Sequence, residues 1–241
     1  NLPSIAALAN VIIEFLSSNL KMALEASLYL VGFKILHRLL CYHKNWCTGG
    51  EDLPLDWKKM VPVALRVLTY LSRPAVWKAV GAEAMELACM VASVLNLLVV
   101  HGATMLPGEE SYAFLCYEIA RVGSAPNKVF EKFGSNLTSP SPEPTEASLV
   151  DELKLLHHVA EHVNAAVETW LEESKIPSPS SEEILSLVAQ AAGSLSLPVR
   201  QDLLNFENFC ETDAELSLAR GRAGILLDLY CRYIHVFPPP Q

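Results

Sequence analysis

The sequence predicts an all-α protein. Apolar residues recur at intervals of three and four nearly throughout, and no stretch shows the strict alternation of a half-buried strand. Leu and Ala dominate, while β-branched runs and glycine turns are sparse. Of the 241 residues 51% are hydrophobic and 19% charged, which excludes a disordered chain and leaves enough material for a substantial core. A helix content above about 60% is expected, against about a third in an average globular domain.

The expected helices are 4–19, 21–43, 55–72, 74–101, 109–122, 126–133, 147–174, 181–194, 198–210 and 213–235. Residues 26–41 are hydrophobic on nearly every face, interrupted by Lys34, His37 and Arg38. Pro62 falls inside the third helix and should kink it or delay its start. The chain turns at Ser72-Arg73-Pro74. The stretch Leu87–Val100 is apolar except for Ser93 and Asn96, but it is short of the roughly 20 residues a membrane span needs. It reads as a buried core helix, and no membrane-spanning segment is expected.

Helix 147–174 carries the clearest pattern. Leu149, Leu153, Leu156, Ala160, Val163, Val167 and Trp170 draw one continuous apolar stripe that must pack against neighbours. A cap is expected at Ser148. Ser180 with Glu183, and Thr212 with Glu215, read as capping boxes, in which side chains satisfy the open amides of a first turn. Ser196, followed by Leu197 and Pro198, reads as a cap with proline in the first turn.

Ser135–Glu146 is rich in Ser, Pro and Thr and reads as an exposed linker. It divides the chain into an N-terminal helical subdomain, 1–134, and an acidic C-terminal one, 147–241. The charge changes at the same place. Residues 1–134 hold 12 Lys/Arg against 11 Asp/Glu, and residues 135–241 hold 6 against 16.

Helices in series joined by short turns suggest antiparallel hairpins stacked side by side, as in 55–72 with 74–101. In this the sequence resembles the armadillo/HEAT-like helical-repeat class. The resemblance is architectural and covers the whole chain, without a consensus motif or a clean period near 40 residues. It implies an irregular stacked array serving as a protein-binding platform; an irregular helical bundle is the competing architecture.

Residue 1 is Asn, so a fragment of a longer protein is expected. Six scattered cysteines (Cys41, Cys47, Cys89, Cys116, Cys210, Cys231) do not make the dense framework of a secreted scaffold. Reduced thiols in the cytoplasm or nucleus are expected.

Two clusters invite a metal reading. His158-Val159-Ala160-Glu161-His162 matches H-x-x-E-H, in which histidines one turn apart bind zinc and the Glu activates water. All three side chains are expected on the solvent side of helix 147–174, and the third ligand of that motif would fall among Val236–Pro239, where no Glu stands. Cys41, His43 and Cys47 could begin a zinc site, but no second cysteine pair completes four ligands. The expected metal set is therefore empty. The sequence contains no G-x-S-x-G, P-loop or G-x-G-x-x-G, so neither a cofactor nor catalysis is expected.

Lys34, Arg38, Lys58, Lys59 and Arg66 are the candidate protein-binding or basic patch within the basic stretch 34–78. Direct contact with nucleic acid needs a basic surface that displaces phosphate counterions, which an acidic chain opposes. Ser139, Ser141, Ser178 and Ser180 are candidate phosphorylation sites in exposed loops. The functional expectation is a non-catalytic protein-interaction scaffold, part of a larger eukaryotic-type helical-repeat protein in a multiprotein complex. The alternatives are a nucleic-acid-associated domain using 34–78 and a metalloprotein using His158, Glu161 and His162.

Overall fold

The computed structural model describes residues 2–19, 25–46, 55–124, 129–136, 144–174 and 180–205. All of them lie in one compact unit, residues 1–206; residues 207–241 are a second unit. The described residues form α1 (Leu2–Asn19), α2 (Ala26–Trp46), α3 (Trp57–Leu71), α4 (Pro74–Val80), α5 (Ala82–Met105), α6 (Gly108–Gly123), α7 (Val129–Asn136), α8 (Pro144–Ser174) and α9 (Ser181–Ser194), then a 3-10 turn at Gln201–Leu204. No strand occurs among the described residues, and the all-α expectation holds.

α5 is the pillar of this array. Its sequence is apolar on every side, and every side is used: α2, α3, α4, α6, α8 and the 3-10 turn all pack on it. Leu87, Val91, Leu95 and Leu98 are completely buried, each contributing about 1.5–3 kcal/mol relative to exposure. By length and composition alone α5 could cross a membrane. Enclosure by other helices is the reason for its apolar character here.

Several boundaries differ from expectation for identifiable reasons. The helix expected over 74–101 is two helices, because Gly81 adopts φ +65°, a conformation that costs glycine little. Gly81 ends α4, its N–H bonding to the Trp77 carbonyl at 3.0 Å, and it opens α5. α3 continues past Pro62 and starts at the cap Asp56, whose carboxylate accepts the Lys59 N–H at 3.1 Å. Pro62 therefore does not delay the start.

The stretch 135–146 is shorter as a connection than its composition suggests. Residues 135 and 136 end α7, and α8 begins at Pro144, a favoured residue for a first helical position. Ser148 consequently lies inside α8 and caps nothing. Residues 137–143 lie outside the described residues. The helices on either side of them belong to one unit: α8 packs on both α5 and α6. A Cβ placed on Gly123 of α6 would lie 2.5 Å from the Cβ of Ala160 in α8. Along the α8 stripe Leu149, Leu153, Leu156, Ala160 and Val163 are buried, and Val167 and Trp170 are half-buried.

The expected capping box of α9 is present. Ser180 Oγ accepts the Glu183 N–H at 3.2 Å, and the Glu183 carboxylate accepts the Ser180 N–H at 2.8 Å. The helix expected from 198 does not start there. Ser196 and Pro198 sit in chain without regular structure, and only 201–204 turn. Long-range bonds override the local signals: Leu203 is buried, its carbonyl accepts from His37 Nε2 at 2.9 Å, and Arg200 is held by Glu152. The remainder of 198–210, the helix 213–235 and the Thr212/Glu215 box lie outside the described residues.

Candidate functional site: the outer face of the first hairpin

α1 and α2 meet where Gly32 lies against Ile12 and Leu16; a Cβ on Gly32 would be 3.2 Å from Leu16 Cδ2. The Tyr29 hydroxyl donates to the Leu16 carbonyl at 3.0 Å, and the Phe15 and Tyr29 rings lie 6.1 Å apart. These pairings make the hairpin antiparallel. Its inner side, with Ala9, Ile13, Phe33, Leu36 and Leu40, is buried as α1 packs on α3 and α2 on α5.

The opposite side is apolar too. Of the eight large hydrophobic side chains exposed among the described residues, six lie on these two helices: Leu8, Val11, Phe15, Leu28, Val31 and Tyr42. Val11 is 67% exposed, Leu28 54% and Val31 53%. At 100° per residue, Leu8, Val11 and Phe15 form one stripe on α1, and Leu28, Val31 and half-buried Ile35 form one on α2. Because the helices are antiparallel, both stripes face the same way, away from α3 and α5. Apolar surface gathered like this makes the face a candidate docking surface.

The residues singled out from sequence are placed differently. Lys34 pairs with Glu86 of α5 at 2.8 Å and Lys59 with Glu14 of α1. Lys58 is exposed, and Arg66 bonds the Pro62 carbonyl at 3.2 Å within its own helix. Arg38 is half-buried on α2. Lys34 and Lys59 are thus engaged by acidic partners on neighbouring helices.

His158 and Glu161 are exposed as expected, but His162 is not on the solvent side. It is half-buried, and its Nε2 lies 3.1 Å from both the Ala191 carbonyl and Ser194 Oγ at the end of α9. Glu161 pairs with His157 at 3.4 Å. The H-x-x-E-H side chains therefore do not converge. Cys41 and His43 are both buried, and Cys41 Sγ lies 3.7 Å from His37; Cys47 lies outside the described residues. Burial pushes the Cys41 thiol up to about 11 and that of Cys116 up to about 12. Of the serines, Ser180 is engaged in its cap, and Ser139, Ser141 and Ser178 lie outside the described residues.

Sequence reasoning missed the α1–α2 face. The available signal was that residues 5–16 are apolar on more sides than one buried face requires. A second feature it missed is the buried pairing of Arg200 and Glu152 with Asn96.

The family model for Armadillo-like helical domain-containing protein 3, C-terminal, matches residues 2–228. The chain belongs to this family. Curated relatives of that name include one from Homo sapiens, 24% identical over 214 residues covering 88% of this chain and 31% of the relative. Another, from Xenopus laevis, is 23% identical over 222 residues, covering 92% of this chain and 32% of the relative. The chain thus spans about a third of the length of these relatives. No solved structure matches it significantly. Membership in an armadillo-like helical family agrees with the stacked α-helical array described above.

Proposed function

We propose that this chain is a non-catalytic protein-interaction module of a longer helical-repeat protein, and that its α1–α2 outer face docks an apolar helical hairpin within a multiprotein assembly. The observation that carries this is the gathering of Leu8, Val11, Leu28 and Val31 on one outward side of a hairpin whose inner side is already buried. An adjoining hairpin with stripes at the same spacing would interdigitate with it, as successive repeats do. Two further facts support the reading. The relatives are about three times as long as the chain and are named for an armadillo-like helical domain. His162 Nε2 and Glu161 are taken up by structural partners. The unpaired thiols of Cys41, Cys89 and Cys116 support an intracellular location.

The test is quantitative affinity capture with the wild-type chain, Val11→Glu/Val31→Glu and the control Val199→Glu, an exposed residue in the chain after α9. Circular dichroism should show all three equally helical. Proteins held by wild type and control but lost with the double variant support the reading. Identical captured sets for all three refute it.

A further inference from the structure

On a different part of the molecule, α6 and α9 pack side by side, and the end of α5 closes the angle between them. A groove runs along this junction. One stretch, of about 550 Å³, lies between Val99, Val100 and Ala103 of α5 and Ala192, Gly193 and Leu197. The next, of about 440 Å³, runs past Leu185 to Glu182 of α9, with Glu110 on the α6 side. The two share Glu109, Ala113 and Ala189, so they are one continuous trough.

Its floor is made of small side chains. Ala103, Ala113, Ala189, Ala192 and Gly193 leave space where larger residues would have closed the junction, and a Cβ on Gly193 would meet nothing within 4 Å. Leu185, 39% exposed, stands at the lip as an apolar contact without cover.

Its charge is of one sign. Glu109 and Glu110 occupy the first turn of α6, and Glu182 that of α9, where the helix dipole favours carboxylates without a basic side chain beside them. Among the described residues, none of the three has an ion-pair partner, and no Lys, Arg or His lines either stretch. The trough therefore presents an apolar floor with three open carboxylates along its rim.

We propose that this groove binds a cationic amphipathic helix of a partner protein. Apolar side chains at i, i+3 and i+7 would sit over the alanine floor, and Lys or Arg on the flanking positions would meet Glu109, Glu110 and Glu182. α9 has 14 residues, a length of about 21 Å at 1.5 Å per residue, so a segment of about four turns fits.

The probe is a fluorescein-labelled 14-residue Lys/Leu/Ala amphipathic peptide, with its Glu/Leu/Ala counterpart, titrated against the full chain by fluorescence anisotropy. The basic peptide should bind and the acidic one should bind at least about tenfold more weakly, with the difference shrinking as salt screens the charges. Gly193→Leu extends a side chain into the trough from a site with no close neighbour, and should weaken the basic peptide about tenfold or more. Glu109→Gln/Glu110→Gln/Glu182→Gln should leave the fold intact and erase the preference for the basic peptide. Val31→Glu, on the α1–α2 face, should bind the basic peptide like wild type, which separates this groove from the face proposed above. The proposal is overturned if the basic peptide does not bind, if both groove variants bind it as wild type does, or if Val31→Glu is the change that abolishes binding.

Discussion

Arg200 Nη2 donates to the Glu152 carboxylate at 2.8 Å, joining the chain after α9 to the first third of α8. The Glu152 side chain is 11% exposed and also accepts from Asn96 Nδ2, and the same amide donates to the Glu152 carbonyl at 2.8 Å. Arg200 holds Asp202 as well, at 2.6 Å. Removing the guanidinium leaves a nearly buried carboxylate with a single neutral donor. Breaking a buried pair typically costs 3–5 kcal/mol; with Arg200 partly exposed, Arg200→Ala should cost about 2–3 kcal/mol. Urea unfolding measures this. A loss below about half a kcal/mol would show that water already screens the pair.

His37, beneath the same segment, predicts a pH dependence. Burial holds its imidazole below the ordinary histidine range, and Arg38 adds to that; its bond to the Leu203 carbonyl and the charge of Glu152 pull the other way. His101 is lowered too, by burial and by Lys44. In the unfolded chain both protonate near pH 6.5, in the fold only at lower pH. The unfolded state thus binds more protons as pH falls, and the stability contributed by the neutral rings is complete above about pH 6.5 and declines below it. The urea midpoint should drop between about pH 7 and 5.5, and His37→Gln, which keeps an N–H for Leu203, should flatten that slope. A wild-type midpoint constant over this range contradicts the assignment.

His158 and His162, one turn apart, should behave differently. His158 is exposed and its loss should change stability by less than about half a kcal/mol. His162 bonds the Ala191 carbonyl near the end of α9, where donors satisfy open carbonyls. His162→Ala should cost about 1 kcal/mol in thermal or urea unfolding. Equal effects would mean that the α9 contact carries no energy.

That contrast shows where periodicity is informative and where it fails. The α8 stripe was legible because Leu149 to Val163 repeat at helical spacing and bury one face, and the Ser180/Glu183 box because both halves of the cap lie within four residues. His162 was misplaced because it borders the stripe, and α9, which covers it, arrives from about 30 residues away in sequence. The break at Gly81 was missed because glycine is permitted within helices, and only the φ it adopts reveals the cap. The start expected at Ser196 failed because Leu203 and Arg200 have partners more than 40 residues distant. The outward α1–α2 face needed the tertiary structure, since an all-round apolar helix reads equally as buried on both sides.

Leu156→Asp should be severe. Leu156 is fully buried in the stripe by which α8 meets its neighbours, and an unpaired carboxylate there costs several kcal/mol, a large part of a typical 5–15 kcal/mol. The variant should lose its cooperative unfolding transition or its soluble expression. A wild-type-like transition would place the stripe outside the core.

Cutting the chain at a chosen point tests whether 1–134 and 147–205 are one body. A site for a specific protease can be inserted between Thr138 and Ser139, leaving the sequences of α7 and α8 unchanged. If the two stretches were independent subdomains, cleavage would free them to separate on a sizing column. The packing opposes this: α8 buries Leu149, Leu153, Leu156, Val159 and Val163 as it packs on α5 and α6, and Asn96 of α5 bonds the backbone of Glu152. Five such side chains, at about 1.5–3 kcal/mol each, outweigh the few kcal/mol by which cutting a covalent tether favours dissociation. The cleaved protein should therefore co-elute as one species and keep its helical circular dichroism. It should come apart only in urea, at a midpoint below that of the uncut chain. Two separate folded peaks in plain buffer would restore a boundary at 135–146 and show that the contacts of α8 with α5 and α6 do not hold the array together.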